Sequence, residues 1–220
     1  MKKVVLATAV LGMIFVTSCK TDKDTVVAGE AQEATSASQD ATAYLIDQAE
    51  SATTWRGFKF FQDTSKPEVG HYGVIKLKEG QLHVKDGVLE SGIFISDQTS
   101  FESHDMNDDP DSKADFDGHM KSPDFLNVEE YPEAKFEISK VTPLAEGDYN
   151  TEISGNLDFR GVPKNITFRA NVKEEGDKLT IQSEEFKINR QDFGIDFKGG
   201  GDSIIRDEVV LQMDVTAKKA

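Results

Sequence analysis

Between Tyr149 and Val172 the side chains alternate in type along two consecutive runs, and this pattern constrains the fold more than any other in the chain. Tyr149, Thr151, Ile153, Gly155, Leu157 and Phe159 fall on one side, and Asn150, Glu152, Ser154, Asn156, Asp158 and Arg160 fall on the other. A β-strand sends successive side chains to opposite faces, so the run reads as a strand with one dry and one wet face. Gly161, Pro163 and Asn165 break the pattern, after which Ile166, Phe168, Ala170 and Val172 resume it. The pair reads as an antiparallel hairpin. A hairpin alone is marginal in water, so the rest of the chain must close over its dry face.

Much of the remaining chain repeats the device. Tyr44 to Ile46, Thr53 to Phe61, Val69 to Lys78, Gln81 to Lys85 and Val88 to Ser96 read as strands, with turns at Glu79-Gly80 and Asp86-Gly87. Ala134 to Ile138 and a run from Leu179 to Arg190 follow, the latter slipping phase near Ser183 to Glu185, as a β-bulge would make it. Val209, Leu211, Met213 and Val215 form one face of the last strand. Hairpin-sized turns imply antiparallel neighbours, and a sheet of this size tends to curl or close. The expected fold is therefore all-β: an antiparallel barrel of about eight strands.

One stretch interrupts the pattern. His104 to Asp111 is acidic and without period, Lys113 to Lys121 reads as a short helix with Ala114, Phe116 and Met120 as its apolar positions, and Ser122 to Leu126 reads as a further helical turn. Such a helical insertion would cover an open end of the sheet. Within it Asp105, Asn107, Asp109 and Asp111 place oxygen ligands at alternate positions, like the first half of a calcium loop. Pro110 stands where the loop needs glycine and Phe116 where it needs the closing glutamate, so the better reading is a solvated acidic loop, with calcium as an alternative.

The N-terminus carries an address. Met1-Lys2-Lys3 is basic, Val4 to Val16 is apolar and too short to span a bilayer core of ~30 Å, and Val16-Thr17-Ser18 lead into Cys19. VTSC resembles the lipobox of bacterial lipoproteins, which implies a signal peptide over 1–18, acylation of Cys19 and a lipid anchor at the cell envelope. Lys20 after the cysteine, by resemblance to sorted lipoproteins, points to the outer membrane. Cys19 is the only cysteine, so no intramolecular disulfide can hold the domain. Residues 19–42 are rich in Thr, Ala, Ser, Gln, Asp and Glu and read as an acylated cysteine followed by a disordered tether, leaving 43–220 as one domain. With a formal net charge of -15, the chain would be repelled by nucleic acid and by anionic headgroups.

Three motifs in order then carry a family resemblance: HMKSPDFLNVEEYPEAKF (His119 to Phe136), GNLDFRGVPKNITF (Gly155 to Phe168) and INRQDFGI (Ile188 to Ile195). Together they resemble the YceI family of bacterial polyisoprenoid-binding proteins, over nearly all of the chain from Tyr44 onward. The resemblance implies a lipocalin-like barrel with a helical insertion, an isoprenoid or similar long amphipathic lipid inside it, binding and carriage, and no catalytic residues or cofactor.

The apolar strand faces nominate a lipid-binding cavity lined by Ile153, Leu157, Phe159, Phe168, Ala170, Leu211 and Met213, with Gly73, Gly155 and Ala170 leaving room inside. Arg190 and Asp192 are candidates for a structural corner, by a buried ion pair or capping bonds, or for contact with a lipid head. His71, His83, His104 and His119 lie apart in the chain, and G-x-S-x-G, HExxH and phosphate-loop patterns are missing, which argues against an enzyme. The rival reading is a tethered surface module whose barrel is filled by its own side chains and which binds a partner protein. The oligomeric state stays open, a homodimer being one option.

Overall fold

Period-two alternation becomes a closed ring of eight staves. The structure, a computed structural model, describes residues 25–220. The signal-peptide and Cys19 expectations lie outside the described residues. The first stave is β2 (Thr42–Ile46) continued by β3 (Ala52–Phe61), bent at a short 3-10 turn over Gln48–Glu50. There follow β4 (Val69–Lys85), β5 (Val88–Asp97), β7 (Glu133–Pro143), β8 (Thr151–Phe159) and β9 (Val162–Glu175). The seventh stave is β10 (Lys178–Ser183) continued by β11 (Phe186–Asn189), and the eighth is β13 (Glu208–Lys219). Each stave pairs antiparallel with the next, and β13 pairs back to β2 and β3, closing the ring.

The central hairpin has the expected faces: Ile153 lies opposite Phe168, Gly155 opposite Ile166 and Thr151 opposite Ala170. Its turn is tighter than the sequence suggests. Arg160 and Gly161 alone make it, both with positive φ (53° and 71°), the hairpin geometry that matches strand twist. The expected turn at Glu79-Gly80 does not form. β4 runs straight through it because β4 changes partner there, from β3 to β2, and absorbs the change as a register shift between Leu77 and Glu79 against β5. The phase slip expected near Ser183 is the break between β10 and β11, where the Ser183 hydroxyl accepts the Met213 N–H at 2.8 Å.

The helix α1 (Pro110–Lys121) starts earlier than expected, with Asp109 accepting from the Ser112 N–H and Pro110 in the first turn. Phe116 and Met120 pack inward, whereas Ala114 is exposed. Ser122 caps the helix end, and residues 123–126 form turns rather than a second helix. The helix is pinned to β6 (Glu102–Ser103), whose Ser103 N–H donates to Asp117 at 3.0 Å.

The glycines expected to leave room inside the barrel are spoken for. A Cβ on Gly73 would lie 1.8 Å from the Glu102 carbonyl oxygen, because β6 pairs with β4 there, and one on Gly155 would lie 2.3 Å from the Phe136 ring.

Residues 25–41, expected as a tether, lie along the barrel. Beyond Ser183 the seventh stave parts from β9, and the chain's first described residues occupy the seam. Thr25 bridges Lys187 of β11, Val26 N–H donates to the Lys187 carbonyl at 2.8 Å, and β1 (Gly29–Glu30) pairs with Asn165 and Lys164 of β9. Val26 and Ala28 pack on the core while Val27 between them is 86% exposed, the alternation of a strand. The segment then crosses the outside of the ring like a belt. Gln32 bonds Asn156, Thr35 N–H donates to the Ile138 carbonyl, Ser38 bonds Glu90, and Asp40 pairs with Lys85. Polar composition alone does not free a chain that finds this many specific partners.

Candidate lipid-binding cavity

The barrel interior is divided lengthwise. One end is packed by Tyr44, Leu82, Ile138, Ile153, Leu179 and Ala170, all essentially without exposure. Tyr44 fixes this end through its hydroxyl, which donates to Glu174 at 2.5 Å. That bond, with burial and the nearby negative charges of Glu174 and Asp177, pushes the phenol up to about 12. The other end holds a cavity of about 170 Å³, lined mostly by apolar side chains. A dry apolar cavity of roughly 150 Å³ accepts a benzene-sized guest, so the space as it stands takes one ring or one five-carbon unit. A longer guest would have to move side chains.

Of the sequence candidates, Leu157, Phe159, Leu211 and Met213 line this cavity. Ile153, Phe168 and Ala170 do not. They belong to the packed end, where Phe168 stacks on Phe186 at 4.8 Å and meets Phe136 at 5.4 Å. Alternation tells inside from outside but carries no information on depth along the axis, and depth separates the two groups.

Sequence reasoning also missed most of the lining. Trp55, Gln98, Phe101 and Leu126 close the cavity under the helical insertion, with Phe101 stacked on Trp55 at 4.5 Å and Phe116 at 6.3 Å from the same indole. The signal was the crowding of Trp55 with Phe58, Phe60 and Phe61. Gln98 sits in a polar turn (Gln98–Ser100) where no pattern marks it. Phe58, Ile205 and the exposed Arg206 line the cavity where it reaches the surface.

The three sequence motifs meet at this end. Arg160, at the tip of the central hairpin, donates to the Pro123 carbonyl at 3.2 Å and to the Gly194 carbonyl at 3.3 Å, so it ties the second motif to the first and third. Phe159 faces Phe193 at 5.6 Å, and Phe125, Phe197 and His119 form an aromatic group within 5.3 Å of one another. The third motif is a corner: Asn189 caps a 3-10 turn over Arg190–Phe193, and Gly194 ends it in the left-handed region.

Arg190 is buried at that corner and lines the cavity. Its Nε donates to the Arg206 carbonyl at 3.0 Å, Nη1 to the Ile195 carbonyl at 2.7 Å and Nη2 to Asp207 at 2.9 Å. Burial lowers its pKa and the Asp207 carboxylate draws it partly back. Its ion-pair partner is thus Asp207; Asp192 is exposed. The acidic loop has local duties of its own. Asp105 accepts from the Tyr72 N–H at 3.0 Å and contacts His71 Nδ1 at 2.8 Å. Burial works against its ionisation, yet these bonds outweigh burial and hold its carboxyl below the usual range. Among the described residues, no group of three or more His, Cys, Asp or Glu is placed to hold a metal.

A closed antiparallel ring around an apolar cavity, with one end covered by a helix, defines the lipocalin-like class of β-barrel. The YceI-like domain model matches residues 44–217, and the chain belongs to that family. A UPF0312 protein of Pseudomonas putida is 39% identical over 93 residues, 40% of this chain and 46% of that protein. A protein YceI of Salmonella arizonae is 38% identical over 87 residues, 37% of this chain and 44% of the relative. The chain thus spans about half the length of the curated relatives it matches. Two solved structures share the fold. BcnA of Burkholderia cenocepacia aligns with a TM-score of 0.57 at 19% identity, covering 79% of this chain and 99% of BcnA. A polyisoprenoid binding domain from Saccharophagus degradans, described as implicated in plant cell wall breakdown, aligns with a TM-score of 0.55 at 13% identity, covering 81% of this chain and 99% of the other.

Proposed function

We propose that the chain binds a long amphipathic lipid of isoprenoid type, with the tail in the barrel cavity, and carries or stores it at the bacterial cell envelope. The observation that carries this reading is the cavity itself: apolar lining inside a closed barrel that reaches the surface at Phe58 and Ile205. Each five-carbon unit transferred from water would contribute roughly 3 to 4 kcal/mol of gross hydrophobic energy, much of it offset by ordering the tail. Tail length would set affinity and the head would set specificity. The polyisoprenoid binding named for the Saccharophagus domain supports the same class of ligand. Binding, not catalysis, is the proposed activity.

The test is purification without detergent, followed by organic extraction and mass spectrometry, with an added isoprenoid alcohol as a second arm. A co-purifying or acquired lipid at about one per chain is expected. A protein that yields none and takes up none would pass the reading to the rival, a surface module that engages a partner protein, which the packed half of the barrel already resembles.

Attachment is proposed through acylation of Cys19, with the outer membrane as the destination. Replacing Cys19 with Ser should move the protein from the membrane pellet to the soluble exported fraction, since stable anchoring needs more than one acyl chain and the cysteine would carry them. A variant that still sediments with membranes would end the lipoprotein reading.

A further inference from the structure

Among the described residues, four buried side-chain polar atoms have no hydrogen-bond partner, and two of them, Trp55 Nε1 and Gln98 Oε1, belong to residues that line the cavity. Trp55 is 4% exposed and Gln98 3%. An orphaned polar group at that depth is costly, and a native fold keeps few of them. The two are linked through Phe101, whose ring stacks on Trp55 and whose N–H donates to the Gln98 main-chain carbonyl at 3.2 Å. Both therefore sit at the end of the cavity under the helical insertion.

The hydrogen-bond network fixes which atoms are free. The Ser96 hydroxyl has one proton, which it donates to the Ala134 carbonyl at 3.2 Å. Ser96 Oγ must then accept from Gln98 at 2.7 Å, so the Gln98 amide presents its NH2 to Ser96 and leaves its carbonyl oxygen unpaired. The indole N–H can only donate. The cavity wall thus holds one unpaired donor and one unpaired acceptor, each covered as the cavity stands and reached by a guest that shifts the lining. Its cations are occupied: Arg190 spends its guanidinium on three protein acceptors, and Arg206 pairs with Glu68.

We infer that Trp55 and Gln98 form a polar subsite for an uncharged group that both accepts and donates, as an alcohol or a primary amide does. An acceptor-only group such as a quinone carbonyl would satisfy Trp55 and leave Gln98 unpaired. A phosphate or carboxylate would meet the Gln98 oxygen with no unoccupied cation beside it, and would lose its hydration. This inference rests on the lipid-binding reading and narrows it to the class of head.

The probes are farnesol, its methyl ether, its monophosphate and the parent hydrocarbon, titrated into the full chain. Trp55 is the only tryptophan, so its indole N–H gives a single indole resonance with which to watch the site. Farnesol should bind about tenfold or more tighter than the hydrocarbon and tighter than the ether, and should move the indole N–H resonance downfield. The phosphate should bind more weakly than the alcohol. Gln98→Leu should erase the preference for alcohol over ether. Equal affinity for farnesol and hydrocarbon with an unmoved indole resonance would sink the subsite and leave the carrier reading standing. Phosphate binding as tight as the alcohol would replace the neutral head with an anionic one. If no probe binds, the carrier reading fails and the subsite with it. The wild-type comparison decides the matter even where the variant does not fold.

Discussion

Arg190→Leu is expected to lower the melting temperature by about 6 to 12 °C. Two effects oppose each other. Removing a buried guanidinium relieves its desolvation, and replacing whole buried ion pairs by apolar groups is often neutral. Here only one partner leaves. The Ile195 carbonyl loses its donor from a buried bond and the Arg206 carbonyl loses its donor from a part-buried one, and a stranded acceptor costs roughly 1 to 3 kcal/mol. Asp207 adds less, because at 40% side-chain exposure water can replace the lost bond. A net loss of about 3 kcal/mol at roughly 2 to 4 °C per kcal/mol gives the stated range. Arg190→Lys should recover little of it, since one ammonium cannot reach three acceptors set by a planar fork. Asp207→Asn should cost much less than Arg190→Leu. A thermal melt in which Arg190→Leu shifts by under 2 °C would show that relief of desolvation wins, and that the corner does not depend on its arginine.

A carboxylate placed at two depths on one strand should have two different outcomes. Ile153→Asp puts a charge into the packed end, at a fully buried position beside Phe168, where no water reaches it. The penalty of several kcal/mol is comparable with the whole stability of a domain, so the variant should be insoluble or unfolded. Leu157→Asp, two inward positions further along the same strand, faces the cavity, where water can enter and solvate the carboxylate. That variant should fold with a lowered melting temperature and lose its extractable lipid, whereas the outward change Asp158→Asn keeps it. Circular dichroism and extraction on the three proteins provide the measurement. Should both aspartates unfold the domain alike, the cavity end is as dry as the packed end and no guest lives there.

The same strand marks how far the sequence could be read. Its faces, its antiparallel partner and the closure of the ring follow from period two and short turns, because a strand with one dry face has few ways to hide it. The order of the three motifs pointed to the family, and the structure gives their proximity a cause in the Arg160 bonds to Pro123 and Gly194. Depth was illegible. Ile153 and Leu157 have the same chemistry and phase, and only the contacts of Phe168 with Phe136 and Phe186 across the barrel assign one to the packing and the other to the cavity edge. Glu79-Gly80 looked like a turn because composition records what a residue permits, whereas β4 is kept straight by β5 on one side and two successive partners on the other. Gln98 and the belt escaped for a related reason: polar residues in polar surroundings leave no pattern, and their partners lie far away in sequence.

The seam beside β9 bears on time as well as shape. Seven of the eight junctions of the wall are long ladders, but the wall between Ile166 of β9 and Ile188 of β11, both cavity-lining residues, is completed by residues 25–30. Lifting those few residues would break a handful of hydrogen bonds and uncover Val26 and Ala28, while every stave stays paired. Such a local opening lies well below global unfolding in free energy, so it is visited far more often. A guest too long for the outer mouth would find its fastest exit there. Its residence time would then be governed by the short piece of chain at residues 25–30, and its affinity by the tail and head inside. Release could be quickened or slowed by changes at Val26 to Glu30 that leave the binding surface untouched, which separates the clock of this barrel from its grip.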